Sequence, residues 1–247
     1  MNRLITIPFS HFCEKARWGL DLARRAGALS YIEEGHLPFF SRRATKKHGG
    51  RQVPLLVTAD GVISDSTEIL KWVDSRLPTP SKLYPNAGAL EVEETLDARF
   101  GPDVRRVAYF HLMAEPRALA GFFGSAPVPP LERRLMGLSP LRSVAFGLMR
   151  KGLGLEASRV ERSTARILET LAAMDERLEH SPYLAGDTFS AADLTFASLA
   201  GPLVMPPQYP LGWPDAETLP APLRELVQRA LDTRSGQHVL ATYARHR

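Results

Sequence analysis

Ser10 and Cys13 stand three residues apart in the stretch Pro8-Phe9-Ser10-His11-Phe12-Cys13-Glu14-Lys15-Ala16-Arg17. Cys13 is the one cysteine of a 247-residue chain. Many thiol enzymes carry a second cysteine where Ser10 stands, so the spacing poses a choice between a hydroxyl and a thiol. Two more groups could do chemistry. Val53-Pro54 opens an apolar run, and an X-Pro bond is the one peptide bond that adopts the cis form at modest cost, usually in a defined turn. Asp65-Ser66 precede an amphipathic segment, where the free N–H groups and positive dipole end of a helix start favour an anion. Ahead of Val53, a basic stretch holds Arg42, Arg43, Lys46, Lys47 and Arg51. These groups describe a site for an anionic ligand beside a hydroxyl or a thiol.

The elements that must position them alternate. Leu4-Ile5-Thr6-Ile7 is β-rich and ends at Pro8, and residues 12–26 place Ala16, Leu20 and Ala23 at helical spacing. Residues 30–33 read as a second strand. After the basic stretch 41–52 comes the strand Val53-Pro54-Leu55-Leu56-Val57, and Ala59-Asp60-Gly61 signals a hairpin to Val62-Ile63. Residues 67–76 read as a short amphipathic helix. The predicted order is β-α-β-α-β-β-α over residues 1–78, and the proline-containing stretch 79–86 reads as a linker. Residues 87–247 show helical periodicity and no convincing strand, with the clearest helices at 91–114 and 156–178.

Ser190 and Asp193 form a capping box, with Phe189 and Leu194 at the staple positions, which starts a buried helix over 191–199. Residues 121–154 are different in texture: they hold Pro127, Pro129, Pro130 and Pro140, then a basic amphipathic run over 143–151. Such a run is an extra packed helix or a lid over a pocket, or alternatively a membrane-surface contact.

Apolar residues make up 44 % of the chain and charged residues 23 %, the balance of a globular protein. The formal charge of +4 comes from interspersed signs, with no long basic run carrying aromatics, so nucleic acid is not an expected partner. A single cysteine makes no intramolecular disulfide, Arg3 and Pro8 interrupt the short apolar start, and no apolar run reaches membrane-spanning length. The expectation is a cytoplasmic protein with no integral membrane segment.

Four motifs in order, from Ser10 to Arg17, from Gln52 to Leu56, from Asp65 to Ile69 and from Gly186 to Leu194, resemble those of the cytosolic-type glutathione transferases. The resemblance covers almost the whole chain. It implies an α/β thioredoxin-like N-terminal domain, a linker and an all-α C-terminal helical domain. Residues 121–154 depart from a minimal member as an insertion.

The resemblance also implies roles. In the serine branch of that family the hydroxyl donates to the sulfur of bound glutathione, which becomes the nucleophile. In the cysteine branch the enzyme's own thiol forms a mixed disulfide. Ser10 occupies the decisive position and Cys13 the second, more shielded one. Both are carried as catalytic candidates, the second for an alternative thiol–disulfide reductase. Gln52, Val53 and Pro54 match the cis-proline loop, whose backbone pairs with the cysteinyl part of glutathione. Asp65 and Ser66 match the pair that holds its γ-glutamyl end. The glycyl carboxylate needs a cation, with Lys46 and Arg43 as the choices among the five. His11 stands where it could tune the site, and Arg17 where it could steady it.

The apolar pocket for an electrophile draws on Tyr109, Phe110, Met113, Phe122 and Phe123 of the second domain. The implied partners are glutathione as co-substrate, a small hydrophobic electrophile and a second copy in a homodimer, with no metal. A glutathione-free binding module of the same fold is the non-enzymatic alternative.

Overall fold

In the computed structural model, residues 1–115 and 126–247 are described. Strand β1 (Asn2–Thr6) leads into α1 (His11–Arg25), then β2 (Tyr31–Gly35), α2 (Phe40–Lys46), β3 (Leu55–Thr58), β4 (Gly61–Ser64) and α3 (Ser66–Asp74). The sheet order is β2-β1-β3-β4, with β1 and β2 parallel and the other pairs antiparallel. Leu4 faces Leu56 and Ile5 faces Leu55 across the central pair. All four are fully buried, because β1 and β3 are covered on both faces. This is the mixed sheet with flanking helices that the motifs imply.

The helical part opens with α4 (Ala87–Thr95), a wide π turn (Leu96–Phe100) and α5 (Gly101–Leu112). The periodicity predicts one unbroken helix here. The reason for the wide turn is Pro102: its ring would collide with the carbonyl four residues back in a regular helix, and it has no N–H to donate. Instead the Gly101 amide donates to the Leu96 carbonyl, five residues earlier. Then follow α6 (Pro130–Gly137), α7 (Ser139–Leu153), α8 (Ala157–His180), α9 (Ala191–Val204), α10 (Ala221–Leu231) and α11 (Arg234–His246). The capping box is present at the start of α9, where Asp193 accepts from the Ser190 amide at 3.1 Å. The second Asp193 oxygen accepts from the Leu184 amide at 2.9 Å, so this carboxylate is structural.

Buried charges join the two parts. Lys15 of α1 is fully buried and reaches Glu93 at 2.6 Å, Asp97 at 2.6 Å and the Thr67 hydroxyl at 2.8 Å. Arg17 bridges Glu14 and Glu33, and Arg247, just beyond α11, reaches Glu14 and Asp21, each at 2.7 Å. Trp18 packs against Tyr243 with ring centroids 4.5 Å apart. Helix α1, which must present Ser10, is thereby fixed from three sides. Among the described residues, no helix is long and apolar enough to cross a membrane.

Candidate active site

Ser10 is the N-cap of α1, with extended backbone angles of −79° and 122°. Its amide donates to Ile7 O at 2.9 Å, which turns the chain out of β1. Its hydroxyl oxygen accepts from the Cys13 amide at 3.4 Å, a long capping bond that leaves the hydroxyl proton free to donate elsewhere.

Ser10 opens into a cavity of about 430 Å³. Arg42 from α2, and Arg51, Gln52 and Val53 from the loop before β3, form one wall. Arg105 and Tyr109, one turn apart on α5, form a second wall with Phe12. Leu148, Met149, Gly152 and Leu153 of α7 form the third. The predicted basic run is thus a cavity wall. The preceding helix α6 is clamped to the first domain by Glu132, which accepts from the Leu37 amide at 2.8 Å and lies 2.5 Å from His36 Nδ1. Gly35 lets the segment before α6 approach β2, since a Cβ there would lie 2.6 Å from the Pro127 carbonyl.

The cavity brings together Ser10, Gln52 and Val53 from the residues singled out in sequence. The Val53-Pro54 bond is cis, and Pro54 is buried behind the wall. Val53 lies outside the strand ladder. Asp65 and Ser66 stand at the start of α3 and do not line this cavity. Asp65 caps the helix by accepting from the Thr67 amide at 2.9 Å, from a backbone with φ 82 that a residue with a side chain seldom adopts.

Other residues singled out in sequence stand away from this cavity. Cys13 is fully buried and does not line the cavity. Burial pushes its thiol up to about 11, against the opposing effect of the Ile7 amide and the Ser10 hydroxyl. The helix start, which ordinarily activates a thiol, does not offset that loss of solvent. His11 is also buried, turned away from the cavity toward Gly101, and among the described residues its Nε2 has no hydrogen-bond partner. Burial, aided by Arg105, lowers it to about 3, so the ring is neutral.

Arg43 and Lys46 lie on the exposed side of α2, and the cavity takes Arg42 and Arg51 instead. Arg17 is an ion-pair residue of the α1 network and lies outside the cavity lining. Of the predicted electrophile residues, Tyr109 lines the cavity, Phe110 and Met113 do not, and Phe122 and Phe123 lie outside the described residues.

Sequence reasoning named neither Arg105 nor Phe12 for the site, and gave a packed helix or lid over 143–151 without naming the α7 residues that line the cavity. For Arg105 a signal existed: Arg106 has Asp103 three residues back, whereas Arg105 has no acidic residue at helical spacing. Among the described residues, no group of three or more His, Cys, Asp or Glu is placed to hold a metal ion.

The comparisons with known proteins bear on the family and the fold. Residues 4–81 match the family model described as glutathione S-transferase, N-terminal domain. Residues 157–229 match the one described as glutathione S-transferase, C-terminal domain. No curated protein matches the chain. Glutathione transferase F7 from Populus trichocarpa is 16 % identical, with 98 % of this chain and 99 % of that one covered and a TM-score of 0.55. Glutathione transferase F2 from the same organism is 17 % identical, with 99 % of each chain covered and a TM-score of 0.55. A glutathione S-transferase from Methylobacillus flagellatus, solved with GSH bound, is 16 % identical, covers 97 % of this chain and 98 % of its own, and has a TM-score of 0.50. These likenesses establish the fold, and the two family matches together span well over half of the sequence: the chain belongs to the glutathione S-transferase family.

Proposed function

We propose that this protein is a glutathione transferase in which the Ser10 hydroxyl stabilises the glutathione thiolate for attack on a hydrophobic electrophile or a peroxide. One observation carries the reading: Ser10, at the start of α1, shares a single cavity with the Val53 loop, with two exposed cations and with an apolar wall from the helical part. The Val53 main chain meets the cysteinyl portion in the way of an added strand. Arg42 or Arg51 takes the glycyl carboxylate as a charge-assisted pair. Asp65 and Ser66 receive the γ-glutamyl end, Asp65 toward its ammonium and Ser66 with the helix start toward its carboxylate. The thiol proton leaves to solvent, the Ser10 O–H donates to the sulfur, and the charged form is favoured.

The alternative of a Cys13-dependent thiol–disulfide reductase is disfavoured by the burial of Cys13 and its raised thiol. The proposal includes a homodimer, to be checked by sedimentation. The direct test is calorimetric titration with reduced glutathione, with the bound thiolate followed by ultraviolet absorbance against pH. Binding, with thiolate appearing at lower pH than in free glutathione, is the expected result. A folded protein that binds no glutathione sinks the reading.

A further inference from the structure

Every buried cation of α1 and its surroundings has a carboxylate. Lys15 has Glu93 and Asp97, Arg17 has Glu14 and Glu33, and Arg247 has Glu14 and Asp21. On α5, Arg106 has Asp103 at 2.8 Å. Arg105, its neighbour, breaks the pattern. It is half-buried, yet among the described residues no carboxylate pairs with it. Residues 116–125 cannot supply one, since they contain neither Asp nor Glu. The contact it does make is with the Phe12 ring, whose centroid lies 5.4 Å from the guanidinium carbon.

A guanidinium stays charged in proteins, and a charge withdrawn from water without a partner is unfavourable. Burial holds Arg105 below the ordinary arginine value, and the like charge of Arg106 adds to this. Arg105 lines the cavity. Tyr109, one turn further along α5, lines the same wall, and burial pushes its phenol up, so it keeps its proton and can donate. Around this polar pair the surface is apolar, from Phe12, Leu148 and Met149. Arg42 and Arg51 stand on another wall, beside Val53, where they suit glutathione.

We propose that the electrophile accepted by this cavity carries a carboxylate on an apolar body, with Arg105 as the cation that binds it and Tyr109 as a second donor. The planar fork of Arg105 matches a carboxylate in a bidentate fashion, and the anion supplies the charge the fold withholds. This inference rests on the transferase reading and names its substrate class.

The test compares 4-chloro-3,5-dinitrobenzoate with its methyl ester in the presence of glutathione. In both, the sulfur bonds to the ring carbon, the carbon–chlorine bond breaks, chloride departs with the electron pair and the thiol proton goes to solvent. Each kcat/KM is divided by the uncatalysed rate with glutathione, and the carboxylate-to-ester ratio is taken within each protein. A general loss of folding or of glutathione binding cancels in that ratio. The wild type should favour the carboxylate at least tenfold. Arg105→Gln should reduce the ratio at least tenfold, and Arg105→Lys should restore part of it.

A wild-type ratio of one or below, or a ratio that Arg105→Gln leaves unchanged, overturns the proposal. So does an Arg105→Gln effect confined to the glutathione Kd. If neither compound is turned over, the transferase reading is the one in trouble. Calorimetric binding of 4-chloro-3,5-dinitrobenzoate itself then decides the matter: loss of binding in Arg105→Gln supports the anion site, and equal or absent binding refutes it.

Discussion

Replacing Ser10 by alanine should move the pH dependence of catalysis far more than its rate at neutral pH. The hydroxyl oxygen of Ser10 already accepts from the Cys13 amide at 3.4 Å, so what it offers glutathione is its proton. A hydrogen bond to a charged acceptor contributes about 1.5–3 kcal/mol, or about one to two units of thiol pKa. Taking two units, the bound thiol sits at about 6.5 in the wild type and at about 8.5, the ordinary thiol value, in Ser10→Ala. The thiolate fraction at pH 7 then falls from about 76 % to about 3 %, roughly 25-fold.

The more basic thiolate is also the better nucleophile. With the slope of about 0.4–0.5 found for thiolate attack on disulfides, it reacts about eightfold faster once formed. The net loss at pH 7 is about threefold, the two profiles cross near about pH 7.6, and above about pH 9.5 the variant is faster by nearly the full eightfold. The assay is kcat against pH at saturating glutathione, with the ultraviolet thiolate titration on the same samples. The lost cap costs stability at the low end of about 0.5–2 kcal/mol, because the bond is long, so the variant should remain folded. Superimposable profiles, or a loss that is uniform across pH, would refute the role given to the hydroxyl.

Other expectations follow from the same structure. Cys13, at about 11, should resist alkylation in the native protein at pH 7.5, where about 0.03 % is thiolate, and Cys13→Ala should keep its activity. Lys15→Met strands the fully buried Glu93 and should cost about 3–5 kcal/mol in a denaturant melt, with much of the loss recovered by adding Glu93→Gln. His11 has a folded pKa of about 3, below the unfolded value of 6.5, so the unfolded chain binds more protons between them. Its contribution is therefore complete above pH 6.5 and is lost toward pH 3 at up to about 1.4 kcal/mol per pH unit, a slope that His11→Phe should flatten in melts against pH. Arg42→Ala and Arg51→Ala should each weaken glutathione binding about twofold to fivefold by calorimetry, less at high salt, as suits exposed charges.

Where local chemistry decides, the chain can be read directly. The turn at Ala59-Asp60, the capping box at Ser190 and the Asp65 cap each depend on residues within four positions of one another, and each is present. Ser10, Gln52 and Val53 converge because the thioredoxin-like order carries them there. The choice of cation was not legible: the polar residues 41–52 give no apolar phase from which to read which side of α2 faces inward. Arg42 points to the cavity, and Arg43 and Lys46 to solvent. Cys13 and His11 are hidden by packing against the helical part, a contact 80 or more residues away in sequence for His11 and Gly101. The helix before the α7 wall is held by an equally distant tie, from Glu132 to Leu37.

The wide turn at Leu96–Phe100 acts as a phase shifter. One extra residue in a turn rotates everything beyond it by about 100° about the helix axis. Upstream, Glu93 is indexed to Lys15; downstream, Arg105 and Tyr109 are indexed to the cavity. A chain that lost one residue there would keep the Lys15–Glu93 pair, and would point a different pair of side chains at the cavity. Insertion and deletion at this one turn is therefore a route by which relatives of the same fold could exchange substrates without remaking the glutathione site.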